Sequence, residues 1–197
     1  MSKRFIAAAL LPGLILAAIG ISHPVRLNAD SASWWATMHM ILVPVFPLLG
    51  LSVWVLLRRD TSPLGWAGRI AAVVYIAFYG TLDAVSGISA GTVVNATGEL
   101  GEGVTALFAV GTVFGRIGAL GFFVAVVAVL GSSWRAGVRH PLFWVAAAVL
   151  LGSCYFFATR HIYAPLGVAA MIGFAAGFTV IEVLRQRSEA ALLVQKG

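Results

Sequence analysis

The sequence predicts an all-α polytopic membrane protein, a bundle of about six transmembrane helices with N and C termini in the cytoplasm. Three observations predict it: long unbroken apolar runs, very little charge, and basic residues gathered at alternate ends of those runs. Of 197 residues, 60% are hydrophobic and 10% charged, and the mean hydropathy is +0.98. A soluble domain of this length needs far more charge to cover its surface. A helix crosses a ~30 Å hydrocarbon layer with ~20 apolar residues, and in lipid its backbone groups must be satisfied internally. A membrane β-barrel would alternate apolar and polar residues over short segments, a pattern not found in this chain.

The runs place helices at about 5–22, 34–57, 66–94, 103–130, 141–159 and 162–184, with boundaries soft by several residues. The third is long enough to tilt or to project past the membrane. Only Arg160 and His161 separate the last two, which should form a tight antiparallel hairpin. Residues 1–197 read as a single domain, with no linker, low-complexity tract or internal repeat. Lys3 and Arg4 ahead of an apolar run also suit a signal peptide, but no clear cleavage site precedes His23, so the first helix is expected to be retained.

Orientation follows from the Lys and Arg residues. Lys3, Arg4, Arg58, Arg59, Arg69, Arg135, Arg139, Arg185, Arg187 and Lys196 flank one side, and only Arg26 and Arg160 the other. The positive-inside rule then puts both termini in the cytoplasm of a bacterial-type inner membrane. The formal charge of +6 and the pI of about 10.3 are therefore topology signals, and no nucleic-acid partner is expected. Five of the tryptophans and Trp35 fall near helix ends and read as an aromatic belt. Cys154, the single cysteine, reads as a small buried apolar residue.

Lipid is as apolar as leucine, so helices associate through close packing and polar contacts. Gly87 and Gly91, Gly111 and Gly115, and Gly173 and Gly177 repeat at four-residue spacing and read as packing grooves. A homo-oligomer, a partner in a membrane complex, or a flat cofactor against the backbone are alternative uses. Pro44 and Pro47 should kink the second helix and free carbonyls below His39.

Charged side chains at mid-membrane are costly unless paired or wet. Asp83 and Arg116 lie ~20 and ~22 Å above the inner apolar boundary at 1.5 Å per residue, and are expected to form an ion pair or share a polar cavity. Tyr75, Tyr79 and Asp83 repeat every four residues on one helix face, which Ser86 and Gly87 continue. His39 lies about a turn above Asp83. His23 and His161 sit at the outer ends of their helices, whereas His140 reads as an interfacial residue on the inner side. Glu182 and Arg185 read as a surface pair at the inner boundary.

Three functions are compatible with this pattern. The first is binding or transport of a small solute, ion or proton at an outward-facing site of His39, Asp83, Arg116, Tyr79 and Tyr75, because a carboxylate and an imidazole can exchange a proton there. The second is haem b or metal binding by His39 with His161 or His23. The third is an accessory or scaffold subunit without catalysis. No nucleotide loop, metalloprotease helix or serine elbow is present, so an enzyme is the weaker expectation. No run carries a family signature that can be followed residue by residue.

Overall fold

The computed structural model describes residues 2–194; Lys196, counted among the basic flanks, lies outside them. Among the described residues the chain is all helical, with six helices long and apolar enough to cross a membrane. They are α1 (Lys3–Ile21), α2 (Ala32–Leu56), α3 (Pro63–Thr97), α4 (Glu102–Arg135), α5 (Pro141–Arg160) and α6 (Leu166–Val194). Connections α1–α2, α3–α4 and α5–α6 gather at one end, called here the histidine end. The other connections lie at the basic end, where the Ser2 N–H donates to Gln186 of α6 at 2.6 Å.

Helix boundaries have local causes. Pro63 occupies the first turn of α3, and the Ser62 hydroxyl accepts from the Gly65 N–H at 3.3 Å. Gly98, at φ +75°, closes α3, and Gly137, at φ +86°, follows α4, both in the left-handed region that glycine enters freely. The hairpin between α5 and α6 is longer than expected. His161 leaves the helix at φ +50°, and α6 begins only at Leu166. A non-glycine residue in that region is strained, and such strain is concentrated at functional positions.

The larger departure lies within α3. Residues Asp83–Ser89 form a π-helical segment between two α-helical stretches. Its wider turn holds Asp83, Ser86 and Gly87 buried. A π-bulge costs hydrogen-bond quality and is often kept at functional sites. Here the Ser86 carbonyl, freed from regular α pairing, accepts from the Trp35 indole N–H at 3.1 Å. Trp35 is thus buried inside the bundle, not part of the aromatic belt, whereas Trp34, Trp54, Trp66, Trp134 and Trp144 are exposed.

Close glycine packing joins the helices. Gly111, Gly115 and Gly118 of α4 face Ser86, Leu82 and Tyr79 of α3. A methyl on Gly91 would come 2.9 Å from the Ala36 N atom of α2, and Gly173 and Gly177 lie against Ser153 and Leu150 of α5. Below the histidine end the interior is filled by Phe46, Tyr75, Phe122, Phe157, Phe174 and Phe178, all essentially inaccessible.

The basic end is fixed by ion pairs. Glu182 is fully buried and meets both terminal nitrogens of Arg58 at 2.9 and 2.8 Å, while accepting from Gln186 at 2.7 Å. The expected Glu182–Arg185 surface pair is therefore not formed. The Arg185 guanidinium is buried and donates to the Leu56 carbonyl instead. Arg58 also stacks on Phe5 at 4.0 Å, so one guanidinium joins α1 and α6 to the end of α2. Removing one member of such a pair strands the other charge. Glu182→Ala is expected to destabilise the detergent-solubilised protein by about 3 kcal/mol, and Arg58→Ala/Glu182→Ala by less, measured as a double-mutant cycle of unfolding. Additive single effects would mean that the pair does not join the helices.

Candidate functional site

Three imidazoles converge at the histidine end from segments far apart in sequence. His23 lies in the α1–α2 connection, His39 on α2, and His161 just after α5. One ring nitrogen from each forms a triangle in which all separations are within 4.8 Å. The His23 ring is edge-on to His39 at 5.1 Å and to His161 at 5.4 Å between centroids. The His39 and His161 rings are parallel, 6.3 Å apart.

Each ring is held by Nδ1. His39 Nδ1 meets the Trp35 carbonyl at 2.7 Å, and His23 Nδ1 meets the Pro24 carbonyl at 2.8 Å. A carbonyl only accepts, so in the neutral ring both Nδ1 atoms carry the proton and both Nε2 atoms present a bare lone pair. His161 Nδ1 pairs with the Tyr79 hydroxyl at 2.5 Å, which can donate or accept. The Nε2 atoms of His23 and His161 are buried without any hydrogen-bond partner. Burial lowers the His23 pKa to about 4, against the opposing effect of the Pro24 hydrogen bond. Burial, and then the neighbouring His23 and His39, hold His161 well below its ordinary range. Neutral imidazoles with fixed tautomers are what metal ligation requires.

A cavity of about 180 Å³ adjoins this triangle. Its walls include Trp35, His39, Asp83, Ser86, His161 and Tyr163. The π-helical segment places Asp83 there, fully buried, and neither of its carboxylate oxygens accepts a hydrogen bond. A buried carboxylate in that condition costs several kcal/mol unless it takes up a proton or a partner from the cavity. Asp83 lies outside the triangle of ligating atoms. Burial, and then the Asp83 charge, push the Tyr163 phenol up to about 12, so it stays a proton donor.

The remaining predicted residues divide. Tyr79 buttresses His161, whereas Tyr75 is buried in the core and donates to the Phe46 carbonyl at 3.2 Å. The expected Asp83–Arg116 pair is absent. Arg116 has the expected height but the wrong face. Gly115 packs on α3, and one residue further along an α-helix turns the side chain by ~100°. Arg116 is therefore exposed and lines a different cavity, against α5. The imidazole of His39 reaches neither Asp83 nor a carbonyl freed by proline, since its Nδ1 is bound one turn back at Trp35. The sequence reading missed Trp35 and Tyr163 as site residues, because both resemble ordinary interfacial aromatics.

Gly87 fixes the approach of α2 to α3: a Cβ built there would fall within the His39 imidazole. Gly80, three residues before Asp83, has open space around it. Gly87→Ala is expected to destabilise the protein by about 1–3 kcal/mol through overpacking. Gly80→Ala should leave stability unchanged or slightly raised. Thermal unfolding of both variants in detergent checks this, and equal midpoints would show that His39 is not held against α3. Compared with family models, curated proteins and solved structures, the chain has no significant match to any of them.

Proposed function

We propose that this chain is a membrane metalloprotein that binds one divalent transition-metal ion, zinc by preference, through His23, His39 and His161, and uses it for hydrolysis. The observation that carries the reading is the triangle of three imidazoles, each held through Nδ1, with the Nε2 atoms of His23 and His161 buried and unpartnered. Three histidines leave a fourth position on a tetrahedral ion for water, the pattern of catalytic rather than structural zinc sites. Such an ion lowers the pKa of its water toward neutrality. Asp83, which lines the adjoining cavity outside the ligand triangle, would serve as the proton acceptor for that water and the donor to a leaving group. By the positive-inside rule the site opens to the outer side of a cytoplasmic membrane.

Two observations favour this over the other readings. A haem clamped by His39 and His161 needs the plane between the two rings clear, and the His23 ring stands edge-on to both, at 5.1 and 5.4 Å. Passage of a solute to the basic end would have to cross the packed layer around Phe46, Tyr75, Phe122 and Phe157, which favours chemistry at one face.

Metal analysis of the pure protein tests the proposal. One equivalent of zinc is expected, with no Soret absorbance, and cobalt substitution should give visible d–d bands of low coordination number. Replacing His23, His39 or His161 singly by Ala should weaken zinc binding by more than about 100-fold, and Tyr79→Phe by about 10–100-fold, since Tyr79 orients a ligand. A protein that binds no metal with all three histidines intact would sink the reading. Asp83→Asn should keep its zinc and lose about 10²–10⁴-fold in hydrolysis of a p-nitrophenyl ester. Full activity in that variant would remove Asp83 from the chemistry while leaving the metal site.

A further inference from the structure

A second cavity, of about 470 Å³, borders the first and shares His161, Tyr163, Leu82 and Thr112 with it. It lies between α4 and α5 and is lined by both Arg116 and Arg160. Neither guanidinium makes a hydrogen bond or ion pair among the described residues. Arg116 stands level with Leu82, on which its neighbour Gly115 packs, and Arg160 closes α5 at the histidine end. A guanidinium inside the hydrocarbon layer can extend its apolar stem so that the head reaches the headgroup level. Toward the middle of the bundle the cleft continues as an apolar groove of about 340 Å³, with Leu120, Phe123, Leu151, Cys154 and Tyr155 in its walls. Arg116 lines both parts and marks where the surface changes from cationic to apolar.

We propose that the α4–α5 cleft seats one anionic phospholipid, its phosphate between Arg116 and Arg160 and one acyl chain along Leu120, Phe123 and Leu151. Two unpaired guanidiniums lining one cleft match an anionic headgroup, and guanidinium suits phosphate through paired N–H donors. The groove below matches a hydrocarbon chain and opens on the flank of the bundle, so the occupant arrives from the bilayer rather than from water. Through His161 and Tyr163 the seat adjoins the histidine cavity. It thereby names the substrate class of the proposed hydrolytic site, and in that respect rests on the metal reading. Binding itself does not require the ion.

Native mass spectrometry of the full chain, delipidated in detergent and offered phosphatidylglycerol or phosphatidylcholine, tests the seat. The protein should retain one phosphatidylglycerol about tenfold better than phosphatidylcholine, and Arg116→Gln should remove that preference while keeping the metal. Leu151→Trp, which fills the groove and leaves both arginines, should weaken retention of either lipid. Glycerol phosphate should not displace the lipid. Equal retention of the two lipids by the unaltered chain, or an undiminished preference in Arg116→Gln, overturns the proposal. So does displacement by glycerol phosphate, which would mean a soluble anion site. His39→Ala separates the two readings, since it should lose the metal and still retain phosphatidylglycerol. Loss of lipid from every variant that unfolds early is recognised by its shifted midpoint and is set against Leu151→Trp at matched stability.

Discussion

Three hydrogen bonds at Nδ1 determine what the histidine end of this bundle can do. In water an imidazole rotates and exchanges tautomers. Here the Trp35 and Pro24 carbonyls and the Tyr79 hydroxyl each hold one ring by one nitrogen. Of the opposite nitrogens, the Nε2 atoms of His23 and His161 are buried without a partner. An imidazole lone pair gains little from apolar surroundings and much from a cation. The entropy of arranging three ligands is therefore met during folding rather than at binding, which favours affinity. Gly87 belongs to the same device, because only a residue without a side chain lets α3 approach the His39 ring.

The two ends of the bundle treat burial of charge in opposite ways. At the basic end Glu182 is saturated by Arg58 and Gln186, and Arg59 meets Glu189. That arrangement fixes register between α2 and α6 and satisfies the buried carboxylate within the protein. At the histidine end Asp83 and two Nε2 atoms have no protein partner. Polar atoms left open in an apolar interior are costly, and a fold bears that cost most often where a ligand relieves it. The π-helical turn makes the same point from the backbone, since regular α geometry would satisfy more hydrogen bonds than the segment that aims Asp83 into the cavity.

The six helices are legible because hydrocarbon thickness imposes a length on every apolar run, and Pro141 opens one of them; Pro63 and Gly98, which bound α3, lie outside the expected 66–94 span. Relative levels on neighbouring helices are legible too, since rise per residue is nearly constant: Gly115 meets Leu82, so Arg116 stands level with Asp83. Azimuth is not. Level alone pairs Arg116 with Asp83, whereas the glycine face of α4 takes the side toward α3. Those glycines were visible in the sequence, and counting 100° from them would have turned Arg116 outward. The π segment escaped because no residue type encodes it. The meeting of His23, His39 and His161 depended on which helices neighbour one another, a property of the whole bundle that no local spacing carries.

Placement of Asp83 outside the ligand triangle bears on the chemistry more than its mere presence does. A carboxylate bound directly to the proposed ion would neutralise part of its charge and weaken its pull on water. Three neutral imidazoles would leave the full double charge on such an ion, and a carboxylate in the adjoining cavity would offset that charge at longer range. The same separation leaves Asp83 free to exchange a proton, which a coordinated carboxylate does poorly. Such an ion would in turn give a partner to Asp83, whose carboxylate oxygens have none among the described residues. Histidine triangle and orphan carboxylate are thus each costly alone and complementary together. That mutual dependence is the physical reason for assigning both to one centre.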